Sequence, residues 1–404
     1  MSPPTPTPDS PGLVTAGPDL PGLVTARPDS PALVTARPDS PGLVTAWRSS
    51  THGDLAEMTH RVHVVIARTD GSVVAQAGDP ALETPLRSCL KPFQAQVLRL
   101  SGAAERFAVT SQEWALACAS HDAAPLHTEL VQAWLARLGL GVAALSCGAH
   151  APTDPEGLAA LAGQPPSALH NNCSGKHTAM LAAALALGAP TRDYLRAAHP
   201  VQALVRQALD EALAAPASAP IDDSSEGLAA RRSSDLAWCV DGCSAPTPAL
   251  TLREIATLSA RLADPESRWA PTYDAMREHA ELVGGRGVLD TMLMRALGGL
   301  IAKRGADGVY AIGVRPGRPG AGHHLNEGPL GISIKVESGS TEARAPAVLA
   351  VLDALGHLGP AARVALAPLI RPARKNVRDL VVGHWSAALH LHEQLRDSLR
   401  VPTR

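Results

Sequence analysis

Three of the chain's five lysines lie in segments that look chemically organised: Lys91 and Lys176, each three residues after a Ser or a Cys, and Lys303, for which folding must supply the partner. The rest of its 36 basic residues are arginines. Arg cannot be deprotonated and Lys can, so a lysine in this background marks a place where an amine is wanted. In Arg87-Ser88-Cys89-Leu90-Lys91-Pro92 the spacing Ser88-x-x-Lys91 puts hydroxyl and amine side by side on one helical turn. A neutral lysine can take the proton that makes serine a poor nucleophile, which is the chemistry of Ser-Lys acyl transfer. A free lysine, with pKa ~10.4, is cationic at neutral pH, so burial or nearby positive charge must lower it by ~3 units, about 4 kcal/mol. Arg87 and a second lysine can supply that charge, and Pro92-Phe93 places Lys91 beside a core helix.

A second constellation joins Cys173-x-x-Lys176 to Asp241-Gly242-Cys243. Asn171-Asn172 forms a turn and Ser174-Gly175 opens a helix, so backbone N–H groups point at whatever lies there. Two readings stand. Cys173 and Cys243 hold Zn²⁺ as thiolates, with Lys176 or His177 as third ligand and water as fourth. Alternatively they are buried free thiols near a helix start. Cys239, four residues before Cys243, is expected in the core. Ser120, His121 and Asp122 are adjacent and so cannot form a triad, whose members meet from different segments. Ser120 ends an apolar segment and either faces a pocket or caps an element. His323-His324 reads as a solvated loop pair. Gly305 and Gly308 after Lys303 read as a tight turn, not a phosphate loop, because no G-x-x-x-x-G-K-[ST] occurs.

Positioning such groups takes a core, and 404 residues with 45% apolar side chains can build one. Residues 8–47 hold four near-copies of a ten-residue unit beginning at Pro8, Pro18, Pro28 and Pro38. Two prolines per unit and one Leu-Val pair cannot support packed structure, so residues 1–41 read as a disordered tail. Leu43–Arg48 should form the first strand of a domain running from 42 to 404, its core ending near 360. Arg61–Ala67 and Val73–Ala75 around Asp70-Gly71 read as a β-hairpin. Pro92–Leu100, Glu113–Ala119, Leu126–Leu138 and His177–Leu187 carry helical spacing. Gly308–Val314 and Leu330–Val336 read as antiparallel strands, Thr341–Leu358 as a helix, and residues 214–236 as a surface insertion. Strands at both ends with helices between imply an α+β domain, its sheet joining both ends of the chain.

The net charge of -2 provides no single-sign field for nucleic acid or an anionic membrane, and points to a small-molecule partner. The longest apolar run, Ala179–Ala189, is short of the ~20 residues of a membrane span. No basic start with an apolar stretch opens the chain, so no secretory signal is expected. Six scattered cysteines are expected as reduced thiols in the cytoplasm.

In order along the chain stand Arg87-Ser88-x-x-Lys91-Pro92, Ser120-His121, Cys147-Gly148-x-His150-x-Pro152, His170-Asn171-Asn172-Cys173-Ser174-Gly175-Lys176-His177, Asp241-Gly242-Cys243 and Lys303-x-Gly305-Ala306-Asp307-Gly308-Val309. This series resembles that of the rhizobial-type (class 3, thermolabile) L-asparaginases from about residue 42 to about 360. The resemblance implies a sheet packed with helices, like that of serine β-lactamases and penicillin-binding proteins, and hydrolysis of L-asparagine to aspartate and ammonia. It implies that Ser88-Lys91 and Ser120-Lys303 are two Ser-Lys tandems. Ser88 would attack the carboxamide while Ser120-Lys303 relays protons and helps keep Lys91 neutral. It places Arg87, His121, Asn172 and Asp241 around the substrate, and Cys173, Lys176 and Cys243 on Zn²⁺. A homodimer is compatible with it. The competing reading is a zinc-binding homologue that has lost catalysis. The chain departs from the family pattern at Asp122-Ala123-Ala124, where a small residue, Gly and Glu are usual. It departs also at Val288 for Arg, Cys89 for Ser and Ser244 for Gly.

Overall fold

The computed structural model describes residues 40–214, 231–316, 328–389 and 391. The repeats before residue 40, residues 215–230 of the expected insertion and His323-His324 lie outside the described residues. Eleven strands are described: β1 Gly42–Arg48, β2 Leu55–Ala67, β3 Val73–Ala77, β4 Glu83–Pro85, β5 Trp238–Val240, β6 Pro246–Thr251, β7 Leu300–Arg304, β8 Val309–Val314, β9 Leu330–Val336, β10 Ala373–Lys375 and β11 Val381–Ala388. The main sheet runs β10-β11-β1-β2-β9-β8-β7, with β3 also paired to β2, and its pairings are antiparallel. A second sheet has the order β4-β6-β5. The mixed α+β character follows the sequence reading, and so does the meeting of chain ends, since β1 lies between β2 and β11.

The Asp70-Gly71 hairpin is present, with Gly71 at φ +90° and Arg68 N–H closing the turn on Ser72 C=O at 3.0 Å. β2 starts earlier than its apolar run because the largely exposed stretch Leu55–Arg61 pairs with β1. β8 and β9 pair as expected, Ile312 opposite Ile332. The sheet also takes β10 and β11 from beyond residue 360.

Helix Leu252–Ala263 packs against β8, β9 and β2. Thr251 and Glu254 start it with a reciprocal capping box, which satisfies two backbone donors at the helix start. Gly331 and Gly313 face it so closely that an added Cβ would meet the Ala256 and Ser259 carbonyls. The expected helix over 92–100 divides into Lys91–Gln94 and Val97–Leu100. Helices Ser111–Ala117, Pro125–Arg137, Ser174–Ala186 and Arg344–Ala354 lie where the spacing put them, with shifted ends. No helix among the described residues is long and apolar enough to cross a membrane. All six cysteines are free, and five are buried. Cys239 is exposed, contrary to expectation, because it sits on β5, a three-residue strand at the edge of the small sheet.

Candidate active site

Ser88 and Lys91 owe their position to a left-handed residue. After β4 the chain turns at Arg87, φ +52°, into the short helical turn Arg87–Leu90 and on into Lys91–Gln94. Pro92 stands in the first turn of that helix, where a missing N–H removes no bond. Cys89 Sγ donates to Lys303 C=O at 3.2 Å, tying this turn to β7. Ser120 follows helix Ser111–Ala117, which Thr110 and Glu113 start with another capping box. Its backbone N–H is fixed by Val283 C=O at 2.9 Å. Gly175 lets helix Ser174–Ala186 approach closely, since an added Cβ there would meet Leu116 C=O.

These elements bring two amines to one hydroxyl. Lys91 Nζ lies 2.9 Å from Ser120 Oγ, and Lys303 Nζ lies 2.8 Å from the same oxygen. Lys91 also donates to Ala119 C=O and, at 3.4 Å, to Asn172 C=O. Lys303 donates to Arg304 C=O at 3.0 Å. All three side chains are sealed from water, at 0%, 2% and 3% exposure for Lys91, Lys303 and Ser120. Spacing had paired Lys91 with Ser88, but the structure turns the Lys91 amine to Ser120. Ser88 is half-buried on the adjacent turn, and its hydroxyl takes part in none of these bonds.

Burial pushes the Lys303 amine down from 10.5 to about 7, helped by the charges of Lys91 and Arg304 and opposed by Asp290. Asp290 is a residue that sequence reasoning gave no role. Its carboxylate is 0% exposed, 4.0 Å from Lys303 Nζ, and accepts from Tyr310 O–H at 2.7 Å and Arg304 N–H at 3.1 Å. Arg304 was also missed. Its guanidinium donates to the carbonyls of Ser120 and, at 3.2 Å, Gly284.

The residues implied around the substrate surround this centre unevenly. Arg87 Nε donates to Asp241 Oδ1 at 2.6 Å, and Nη1 contacts Asp307, a third residue without an assigned role. His121 Nε2 lies 2.9 Å from Ser174 Oγ, and its ring stacks on His127 with centroids 4.9 Å apart. Burial holds His121 well below its ordinary value. Asp122 pairs with His127 Nδ1 at 3.1 Å. Asn172 uses its backbone on Lys91, and its side-chain oxygen lies 3.0 Å from Cys173 Sγ.

Cys173, Lys176 and Cys243 also converge. Lys176 Nζ donates to Cys243 Sγ at 2.9 Å. A hydrogen bond from Cys243, with the charges of Lys91 and Lys176, keeps Cys173 well below the ordinary thiol range despite burial. The same hydrogen bond and burial raise Cys243. The nearby thiolate raises Lys176 against the effect of burial. His177 is pushed down to about 4, chiefly by burial, and its Nδ1 bonds Tyr194 at 2.7 Å. Lys176 would join the two sulfurs as a zinc ligand only as a neutral amine. Among the described residues no three His, Cys, Asp or Glu side chains are grouped to hold a metal. A separate cavity of about 570 Å³, lined by Leu126, Glu129, His279 and Leu282 among others, includes none of these residues.

Comparison with known proteins gives a family. The model of L-asparaginase II matches residues 47–387. No curated protein matches the chain. Among solved structures, the native form of Mglu is similar at 13% identity and TM-score 0.36, over 72% of this chain and 64% of that one. Mglu in its native form in 4.3 M NaCl is similar at 14% identity and TM-score 0.36, over 76% of this chain and 60% of that one. The chain thus spans less than two thirds of the length of these structures.

Proposed function

Because the chain belongs to the L-asparaginase II family, whose model covers residues 47–387, we propose that it is an amidohydrolase that converts L-asparagine to L-aspartate and ammonia. One observation carries the mechanism: the Ser120 hydroxyl is bonded to two buried amines. A hydroxyl has one hydrogen, so Ser120 accepts from one amine and donates to the other. Passing a proton through Ser120 from Lys91 to Lys303 leaves a lone pair on Lys91. Lys303, with its value at about 7, takes and returns that proton near neutral pH.

Ser88 is the nucleophile in this reading, because it is half-buried and reachable whereas Ser120 is sealed. Lys91 takes the Ser88 proton as Oγ attacks the side-chain carboxamide carbon. The proton then passes to the leaving nitrogen, so that ammonia departs and an acyl-Ser88 ester remains. Water, deprotonated by the same amine, adds to the ester and releases L-aspartate, and Ser88 regains its proton. Arg87, next to Ser88 in the chain and bonded to Asp241, would orient the substrate. No step passes through a metal. Cys173, Lys176 and Cys243 would hold zinc only after Lys176 lost its proton, and no observation favours the zinc-binding, inactive reading. The meeting of both chain ends in one sheet, with helices against it, is what supports a β-lactamase-like architecture. The free cysteines suit a reducing cytoplasm.

A coupled ammonia assay on L-asparagine tests the proposal. Ser88→Ala should abolish turnover and any acyl adduct seen by mass spectrometry, while Ser120→Ala should lower kcat by about 10²–10⁴. Wild-type turnover by Ser88→Ala would reject the nucleophile.

A further inference from the structure

Asp307 lies at the tip of the β7–β8 hairpin, and its side chain is 69% exposed. Its backbone is left-handed, φ +53°, and its carboxylate reaches back to Arg87, itself at φ +52°. Gly305 allows this, because the hairpin passes so near the Ser88 turn that an added Cβ would lie 3.3 Å from Leu86 C=O. Arg87 is therefore held on two sides by different kinds of partner. Asp241, with 11% side-chain exposure, grips Nε at 2.6 Å and is itself fixed by Gly242 N–H at 2.8 Å. The Asp307 carboxylate faces solvent on the other side. Lys335 already donates to the Asp307 carbonyl, so a second cation waits beside it.

The substrate of the proposed reaction carries an α-carboxylate that must be placed for its amide to reach Ser88. The guanidinium of Arg87, one residue from the nucleophile, suits a carboxylate through charge-assisted hydrogen bonds. We propose that Asp307 is a stand-in for the substrate's α-carboxylate, displaced from Arg87 when the substrate binds. The inference rests on the asparaginase reading and names the contact that recognises the amino-acid end of the substrate. Asp241 keeps the guanidinium aimed throughout. Asp307 swings toward Lys335 and acts as a positioning residue that competes with substrate.

Steady-state kinetics of the full chain test this. Asp307→Asn keeps a side chain that tolerates the left-handed backbone but removes the competing charge. KM for L-asparagine should fall roughly two- to five-fold, as for loss of a solvent-exposed ion pair, with the change in KM rather than kcat. The inhibition constant of L-aspartate, which has the same α-carboxylate, should fall in parallel. That of β-alaninamide, which is L-asparagine without that carboxylate, should not move. An unchanged KM overturns the inference, and a raised KM does so by making Asp307 a partner of the substrate's ammonium group. These outcomes require an active wild type. Absence of ammonia release from wild type instead rejects the asparaginase reading itself.

Discussion

The amine of Lys303 lies 4.0 Å from the carboxylate of Asp290, and both groups are shut away from water. The pair is not isolated, because Tyr310 and Arg304 hold the carboxylate while Ser120 and the Arg304 carbonyl hold the amine. Lys91, across Ser120, is the other cation facing this amine, and Cys89 and Cys118 lie close enough to sense its charge. Asp290 favours the charged form of Lys303, against burial, Lys91 and Arg304.

The pH profile of kcat/KM should therefore have an acidic limb near the Lys303 value of about 7. Below it Lys303 carries its own proton and cannot accept the one relayed through Ser120. Asp290→Asn removes the group that raises this value, so the limb should move to lower pH. The plateau should also drop, because the amine becomes a weaker acceptor. Lys303→Met should lose about 10²–10⁴ in kcat. A limb that stays in place in Asp290→Asn would show that Lys303 does not set it.

Much of this centre could be read from residue type and order, because Lys91, Ser120 and Lys303 fall within short distinctive segments. What could not be read was which oxygen Lys91 chooses. The i, i+3 rule places Lys91 beside Ser88, but the Ala119, Ser120 and Asn172 oxygens come from segments tens of residues away. Asp290 was silent for a similar reason: an acid on helix Leu289–Ala296 becomes chemically relevant only once β7 and β8 bring Lys303 and Tyr310 to it. The β7–β8 turn was legible from Gly305 and Gly308. Helix Leu252–Ala263 left a signal in Thr251-x-x-Glu254 that was there to be read. Cys239 misled because free cysteine is usually buried, while a short edge strand has an open face.

Thiolate and ammonium make the Cys173–Lys176–Cys243 cluster a buried ion pair, and buried pairs punish the loss of one member. Cys173→Ala should cost about 3–5 kcal/mol, a fall in Tm of roughly 4–7 °C in a chain of this length. Removing the stranded cation as well, with Lys176→Met, should restore much of the loss. Because Cys173 is lowered, its contribution is full above the ordinary thiol value of 9.0 and drains as pH falls toward the folded value. Lys176 is raised, so its share persists up to and beyond 10.5. The Tm gap between wild type and Cys173→Ala should therefore widen from neutral pH to about 9. A constant gap would mean that Cys173 is a neutral thiol in the fold.

Ser244 and Ala123 occupy left-handed backbone, at φ +67° and +62°, where a side chain costs about 1–2 kcal/mol relative to glycine. Ser244 is exposed at the turn that delivers Cys243, and its N–H closes that turn on Asp241 C=O at 2.8 Å. Ser244→Gly keeps that bond and relieves the backbone, so chemical denaturation should show a gain of about 0.5–1 kcal/mol. Ala123 is buried at 1% exposure, so Ala123→Gly also gives up a packed methyl worth about 0.8 kcal/mol. Relief and loss should nearly cancel there. Equal gains at both sites would mean that the Ala123 methyl contributes nothing to packing, and a loss at Ser244 would mean that its backbone carries no strain.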